Sequence, residues 1–267
     1  MFAKKIFFKV VIISVLVSCQ KVPITGRRQV NLVPESELIS MSLTSYRDFL
    51  TKNPPLPATD PNVALVKQVG AKIAKAVEDF MREKKLSQRI KGYKWEFNYV
   101  NNNAINAWCM PGGKVVVYSG LLPVTQTEAA LACVMGHEVA HAVARHGNER
   151  MSQGLLVQAG GLALQVALAE KPQMTQDLFY QSYGISSQLG MLKYSRVHES
   201  EADKMGLIFM AMAGYDPNEA IAFWQRMSKA GGGGAPLELL STHPSDETRI
   251  ADIRKFLPQA MKYYRKK

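Results

Sequence analysis

Residues 134 to 146 read VMGHEVAHAVARH, and His137, Glu138 and His141 within them have types and a spacing that could do chemistry. On an α-helix, residues four apart stand one turn apart on the same face, with their β-carbons about 6 Å from each other. His137 and His141 can therefore turn both imidazoles towards one ion. Zinc takes such nitrogen ligands in tetrahedral geometry, and a catalytic site keeps one position for water. Glu138, beside the first histidine, can reach that water as a base without being a ligand itself. A Lewis acid, a base and a nucleophile would then lie within two helical turns.

Ala130, Leu131, Val134, Val139, Ala140 and Val143 make the segment apolar nearly all round, so the helix should be buried. Two imidazoles and a carboxylate inside such a helix are costly unless satisfied. The plainer alternative is a pair of hydrogen-bonded core histidines. A third ligand has to come from elsewhere, because Ala144 and Gly147 stand where the extended zincin pattern requires glycine and histidine. His146 is out of phase with the other two and is expected to face away. The stretch HESEAD (198–203) offers Glu199 and Asp203, four apart on one helix face, whereas Glu201 is turned about 200° from Glu199 and should point elsewhere. Glu199 is the candidate ligand. Asp203, one turn on, can accept a ring N–H from a ligating histidine and hold its tautomer. A solvated acidic helix start is the competing reading of the same residues.

These side chains need a scaffold, and the chain carries its signals. A helix is expected from Glu35 to about Leu50, followed by the break NPPLP. A second should start at Asp60 as cap with Pro61 in the first helical position, burying Val66, Val69, Ile73, Val77 and Phe80 at helical spacing. GYKWEFNYV alternates as a half-buried strand, with Tyr93, Trp95, Phe97 and Tyr99 on one side. NAWCMPGGKVVVYSGLL reads as strand, Pro-Gly-Gly turn, strand. The histidine helix should start near Thr125 or Thr127 and run past His146. GLLVQAGGLALQVALA (154–169) is too short to span a bilayer and is expected to be a buried or interfacial helix. Further helices are expected from about Val197 to Ala213, from Asp216-Pro217, and after His243-Pro244. GGGG at 231–234 is a loop. No repeat period is visible, which excludes solenoids and propellers.

The chain has 267 residues, 47% of them hydrophobic, enough for a globular core and against disorder. Its first 18 residues have a basic start, an apolar run and a small-residue end, the parts of a secretory signal peptide. LVSC resembles the bacterial lipobox, which would make Cys19 the acylated N-terminus, with residues 19–34 a tether and 35–267 the domain that carries the candidate metal site. Gln20 is not the aspartate that resembles an inner-membrane retention signal. The expected place is therefore the cell envelope, on the outer membrane, anchored by lipid on Cys19 and facing the periplasm. The net charge of +11, less the three lysines of the signal peptide, leaves about +8 without a basic and aromatic patch, so no nucleic acid partner is expected. Cys109 and Cys133 sit in apolar stretches where free cysteine packs as a small hydrophobe, although an oxidising compartment would permit a bridge.

VPITGRRQ, NAWCMPGGKVVVYSGLL, GHEVAHAVARHGNER, YSRVHESEADKMG and THPSDETRI, covering most of the mature chain, resemble the HtpX/BepA-type zinc metallopeptidases related to the CAAX prenyl proteases. The resemblance implies an α+β, mostly helical, gluzincin-like domain with a small antiparallel sheet beside the active-site helix. It implies one zinc ion on His137, His141 and Glu199, with Glu138 as the catalytic acid/base. It also implies that Asn106, Ala107, Trp108, Cys109 and Met110 form an edge strand beside the cleft, to which an extended peptide substrate could add. The implied substrates are misfolded or misassembled envelope proteins. The alternative is a metal-stabilised, chaperone-like lipoprotein that binds unfolded chains with little cleavage. His243, before Pro244 and an acidic first turn, is expected at a helix N-terminus with a neutral ring. In the resembled family its counterpart lies near the zinc, as a fourth ligand that silences the enzyme or as a stabiliser of the transition state. Arg249 on the same helix would hold the site's carboxylates or the substrate. A helix-capping His-Pro turn is the plainer reading.

Overall fold

A computed structural model of the chain describes residues 19–158, 172–183, 195–230, 239, 243 and 247–265. The expected signal peptide, most of the 154–169 segment and the glycine run lie outside the described residues. No described helix is long and apolar enough to cross a membrane.

Strands β1 (Cys19–Lys21) and β2 (Arg28–Val30) pair antiparallel. Helix α1 (Glu35–Lys52) precedes α2 (Pro61–Glu83), where the Asp60 side chain accepts a hydrogen bond from Asn62 N at 2.8 Å. Val66, Val69, Ile73, Val77 and Phe80 of α2 are all buried, as their spacing requires. Strands β3 (Glu96–Val100), β4 (Ala107–Met110) and β5 (Lys114–Tyr118) follow, ordered β3-β5-β4. Within this three-stranded sheet the β4–β5 hairpin is antiparallel and β3 runs parallel to β5, so the return strand of the hairpin becomes the centre of the sheet. Both faces of that centre are buried. Val115 and Val117 join the main core with Ala107 and Cys109, while Val116 and Tyr118 join Trp108 and Met110 beneath Tyr46 of α1. This accounts for the unbroken apolar run VVVY (115–118), since a strand covered on both sides loses the in/out alternation.

Helix α3 (Glu128–Ala144) carries the histidine pair and is capped by Thr127, whose side chain accepts from Ala130 N. The expected continuation past His146 does not occur. Arg145 adopts a left-handed backbone (φ 64°), α3 stops, and α4 (His146–Gln158) starts in a new direction. The freed carbonyls at the end of α3 are taken up by side chains: Arg89 donates to Val143 O and Ala144 O, Gln29 to Ala144 O, and Tyr93 to Ala142 O. Helices α5 (Pro172–Tyr183), α6 (Arg196–Met212), α7 (Glu219–Ala230) and α8 (Glu247–Ala260) follow.

The segment 19–34 is not a free tether. Its hairpin is docked: Val22 is buried in the main core, Arg89 donates to Lys21 O, and Arg145 donates to the Gln20 side chain. Cys109 and Cys133 are both buried and unbridged.

Helices α3 and α6 cross at two glycines. A β-carbon on Gly206 would lie 2.9 Å from His137 N, and one on Gly136 would lie 3.0 Å from Gly206 O. Backbone atoms cannot yield as a side-chain tip can. Gly206→Ala is therefore expected to force the helices apart at a cost of about 1–3 kcal/mol. In thermal unfolding the midpoint should fall by roughly 2–4 °C for each kcal/mol lost.

Candidate metal centre

The crossing of α3 and α6 sets His137 and His141 against the first two turns of α6, which starts from the Ser195 cap and carries Glu199 and Asp203. His243, whose N–H donates to Leu239 O, closes the fourth side. Its expected place at a helix N-terminus is not tested, because 244–246 lie outside the described residues and α8 opens only at Glu247.

One donor atom from each of His137, His141, Glu199 and His243 lies within 4.8 Å of the others, and all four residues are buried. His141 Nε2 is 3.0 Å from His137 Nε2, which is 3.2 Å from His243 Nδ1. Glu199 Oε1 is 2.9 Å from His243 Nδ1 and 3.4 Å from His141 Nε2, and Oε2 is 3.4 Å from His137 Nε2. Zinc–ligand bonds of about 2.0 Å at the corners of a tetrahedron imply donor separations of about 3.3 Å, the range seen here. Glu199 Oε2 is buried and accepts no hydrogen bond, although the Arg249 Nη1 cation lies 2.9 Å away. A buried carboxylate oxygen left in that condition fits a cation.

Around the donors, charge is balanced by few groups. Arg249 grips Asp203 through Nε–Oδ2 and Nη2–Oδ1, both 2.8 Å, and its guanidinium stacks 3.6 Å over the buried Trp224 ring. Arg249 thus holds the site's carboxylates, one of its two expected tasks. Asp203 Oδ1 is 3.0 Å from His137 Nδ1, so that N–H donates outward and leaves Nε2 for a metal. Burial works against the charge of Glu199, but His243 and Arg249 hold its carboxyl well below the usual range. Burial pushes His141 well below an ordinary imidazole, keeping it neutral. Glu138 is raised by burial, with His243 and His137 opposing. Its Oε1 accepts no hydrogen bond and lies 3.8 Å from His243 Nε2.

His146 corrects the expectation drawn from phase. Because α3 breaks at Arg145, the His146 ring returns beneath His141, with the two Nδ1 atoms 3.0 Å apart. Glu201 does point away from the donors, as its angle required, and lies 3.1 Å from His146 Nε2. Its partners include Arg27, which sequence spacing does not mark, because no local signal links positions 174 apart. β4 pairs with one strand only among the described residues and packs against α3. Its residues, and Asn106 before it, are buried.

A donor set of two helical histidines, a glutamate from a second helix and an adjacent carboxylate, in a helical domain with a small sheet, defines a zinc metallopeptidase domain. The model of peptidase family M48 matches residues 67–257, and the chain belongs to that family. It is 34% identical over 242 residues to the mitochondrial metalloendopeptidase OMA1 of Schizosaccharomyces pombe, covering 90% of this chain and 66% of that protein. It is 32% identical over 249 residues to the human metalloendopeptidase OMA1, covering 90% and 46%. With the beta-barrel assembly-enhancing protease of Escherichia coli (strain K12) it shares 31% identity over 165 residues, covering 60% and 34%. The chain thus spans between about a third and two thirds of the length of these relatives.

Proposed function

We propose that the protein is a zinc-dependent endopeptidase, anchored to the outer membrane by lipid on Cys19, that degrades misfolded or misassembled envelope proteins from the periplasmic side. Glu138 carries the catalytic reading: it is a buried carboxylate beside the four donors whose Oε1 accepts no hydrogen bond, with the His243 ring 3.8 Å away, and burying it so is costly. His137, His141 and Glu199 are the ligands in this reading. Zinc there supplies a Lewis acid that polarises the scissile carbonyl and makes water more acidic. Glu138, with its affinity for protons raised by burial, takes the proton from the attacking water and returns it to the leaving amine. Asp203 and Arg249 keep His137 in the tautomer that presents Nε2. β4 offers recognition through its main chain, since Ala107 to Met110 commit their side chains to the two cores. Such recognition is sparing of side-chain selectivity and suits unfolded substrates. The family shown by comparison supports the chemistry; the envelope setting rests on the first 19 residues.

Four protein donors around one ion leave no place for water, and a catalytic zinc needs one. His243, which comes from outside the two crossing helices, is the donor that would withdraw to admit it. With three ligands kept and the base removed, Glu138→Gln should retain zinc by metal analysis while cleavage of an unfolded substrate falls at least 10²-fold to 10⁴-fold, the usual span for a general acid/base. A variant of undiminished activity would refute the mechanism. His243→Ala is expected to keep its zinc and to raise proteolysis or self-cleavage; a large loss of activity would instead make this ring part of catalysis. Cys19→Ala should abolish labelling by a fatty-acid probe and release the protein from the outer-membrane fraction, and unchanged labelling would place the anchor elsewhere.

A further inference from the structure

The two histidines of α3 are backed differently. His137 reaches a carboxylate directly, through Asp203. His141 reaches one through a second imidazole. If His141 presents Nε2 to a metal, its Nδ1 must carry the hydrogen and donate to His146 Nδ1, 3.0 Å away. His146 then carries its own hydrogen on Nε2 and donates to Glu201 Oε2 at 3.1 Å. Glu201 is held in turn by the tip of the β1–β2 hairpin. Thr25 Oγ1 donates to Oε1 at 2.6 Å, Arg27 Nε donates to the same oxygen at 3.0 Å, and Arg27 Nη2 donates to Oε2 at 2.9 Å. The rest of the guanidinium is clamped by Glu149, Nη1–Oε1 and Nη2–Oε2 both 2.7 Å, and Glu149 lies 3.0 Å from His198 Nε2. His146, Glu149, His198 and Glu201 are all buried.

The hairpin tip bears strain to make these bonds. Ile24 is in the left-handed region at φ 70°, where a β-branched residue is a genuine outlier, next to Thr25. The loop is closed by Val22 N to Arg27 O and Gly26 N to Val22 O. Strain of this kind persists where the surroundings over-determine it, and it concentrates at functional sites.

We infer that Thr25 and Arg27 of the N-terminal hairpin are positioning residues for the metal ligand His141, acting through Glu201 and His146 to fix its tautomer and ring plane. The inference rests on His141 being a ligand, as proposed above, and extends it to residues that touch neither metal nor substrate. Groups that orient a ligating histidine typically change metal affinity by about 10-fold to 100-fold when removed. Because the four residues form one relay, their removal should not add.

The test uses the full chain loaded with zinc, and separately with cobalt(II), followed by metal transfer to a chelator and by the visible cobalt spectrum. Arg27→Ala and Glu201→Gln are each expected to lose metal about 10-fold faster and to shift the cobalt bands, with the double variant no faster than the quicker single one. Gln29→Ala, which loosens the same hairpin from Ala144 O without touching the relay, should lower the unfolding midpoint and leave metal release unchanged. The inference is overturned if both relay variants release metal at the unaltered rate with an unaltered spectrum, or if Gln29→Ala accelerates release as much as they do. Should Arg27→Ala fail to fold, the isosteric Glu201→Gln decides alone. Failure of the unaltered protein to take up metal would refute the metal centre itself and this inference with it, a result distinct from normal uptake with silent variants.

Discussion

The close approach of α3 and α6 at Gly136 and Gly206 is the constraint on which the site depends. Only where neither helix carries a β-carbon can the backbones come close enough for His137 and His141 on one to meet Glu199 and Asp203 on the other. The sheet, α2 and α8 then pack around this pair rather than determine it. Helix interfaces normally keep axes 8–10 Å apart, with the distance decided by the side chains between them. Here their absence at one point sets the distance.

That approach concentrates acids and imidazoles in an interior with little water, and the rest of the site answers this electrostatic problem. Buried charge is tolerated when it is paired and hydrogen-bonded. Arg249 supplies one cation to two carboxylates and is itself shielded by Trp224. Arg27 does the same for Glu149 and Glu201 one layer further out, where the two carboxyls, opposed by burial, are still held down to about 2. Two arginines from opposite ends of the chain thus neutralise four glutamates and aspartates around five histidines. Glu199 Oε2, beside the Arg249 cation, and Glu138 Oε1 accept no hydrogen bond.

The break at Arg145 has consequences out of proportion to one residue. A continued helix would have carried His146 to the far side; the left-handed turn returns it beneath His141. The same turn exposes the last carbonyls of α3, which Arg89 and Tyr93 from the segment before β3, and Gln29 from β2, then cap. The end of the metal-binding helix is therefore fixed by long-range contacts, and the N-terminal hairpin is one of them.

Local chemistry was readable without a structure. Asp60-Pro61 and Thr127 mark helix starts because capping involves neighbours within three residues, and the i, i+4 spacing of His137 and His141, and of Glu199 and Asp203, places each pair on one face for the same local reason. The pairing of β3 with β5 in parallel, the left-handed Arg145, the return of His146 and the docking of residues 19–30 were not readable. Arginine carries no intrinsic preference for a left-handed backbone, and Arg27 meets Glu201 across 174 positions. Residue type and spacing determined which groups could bind a metal, because periodicity is a property of one helix. Which groups orient those ligands was decided only by tertiary structure, because it depends on where helices stop and how closely two of them pass.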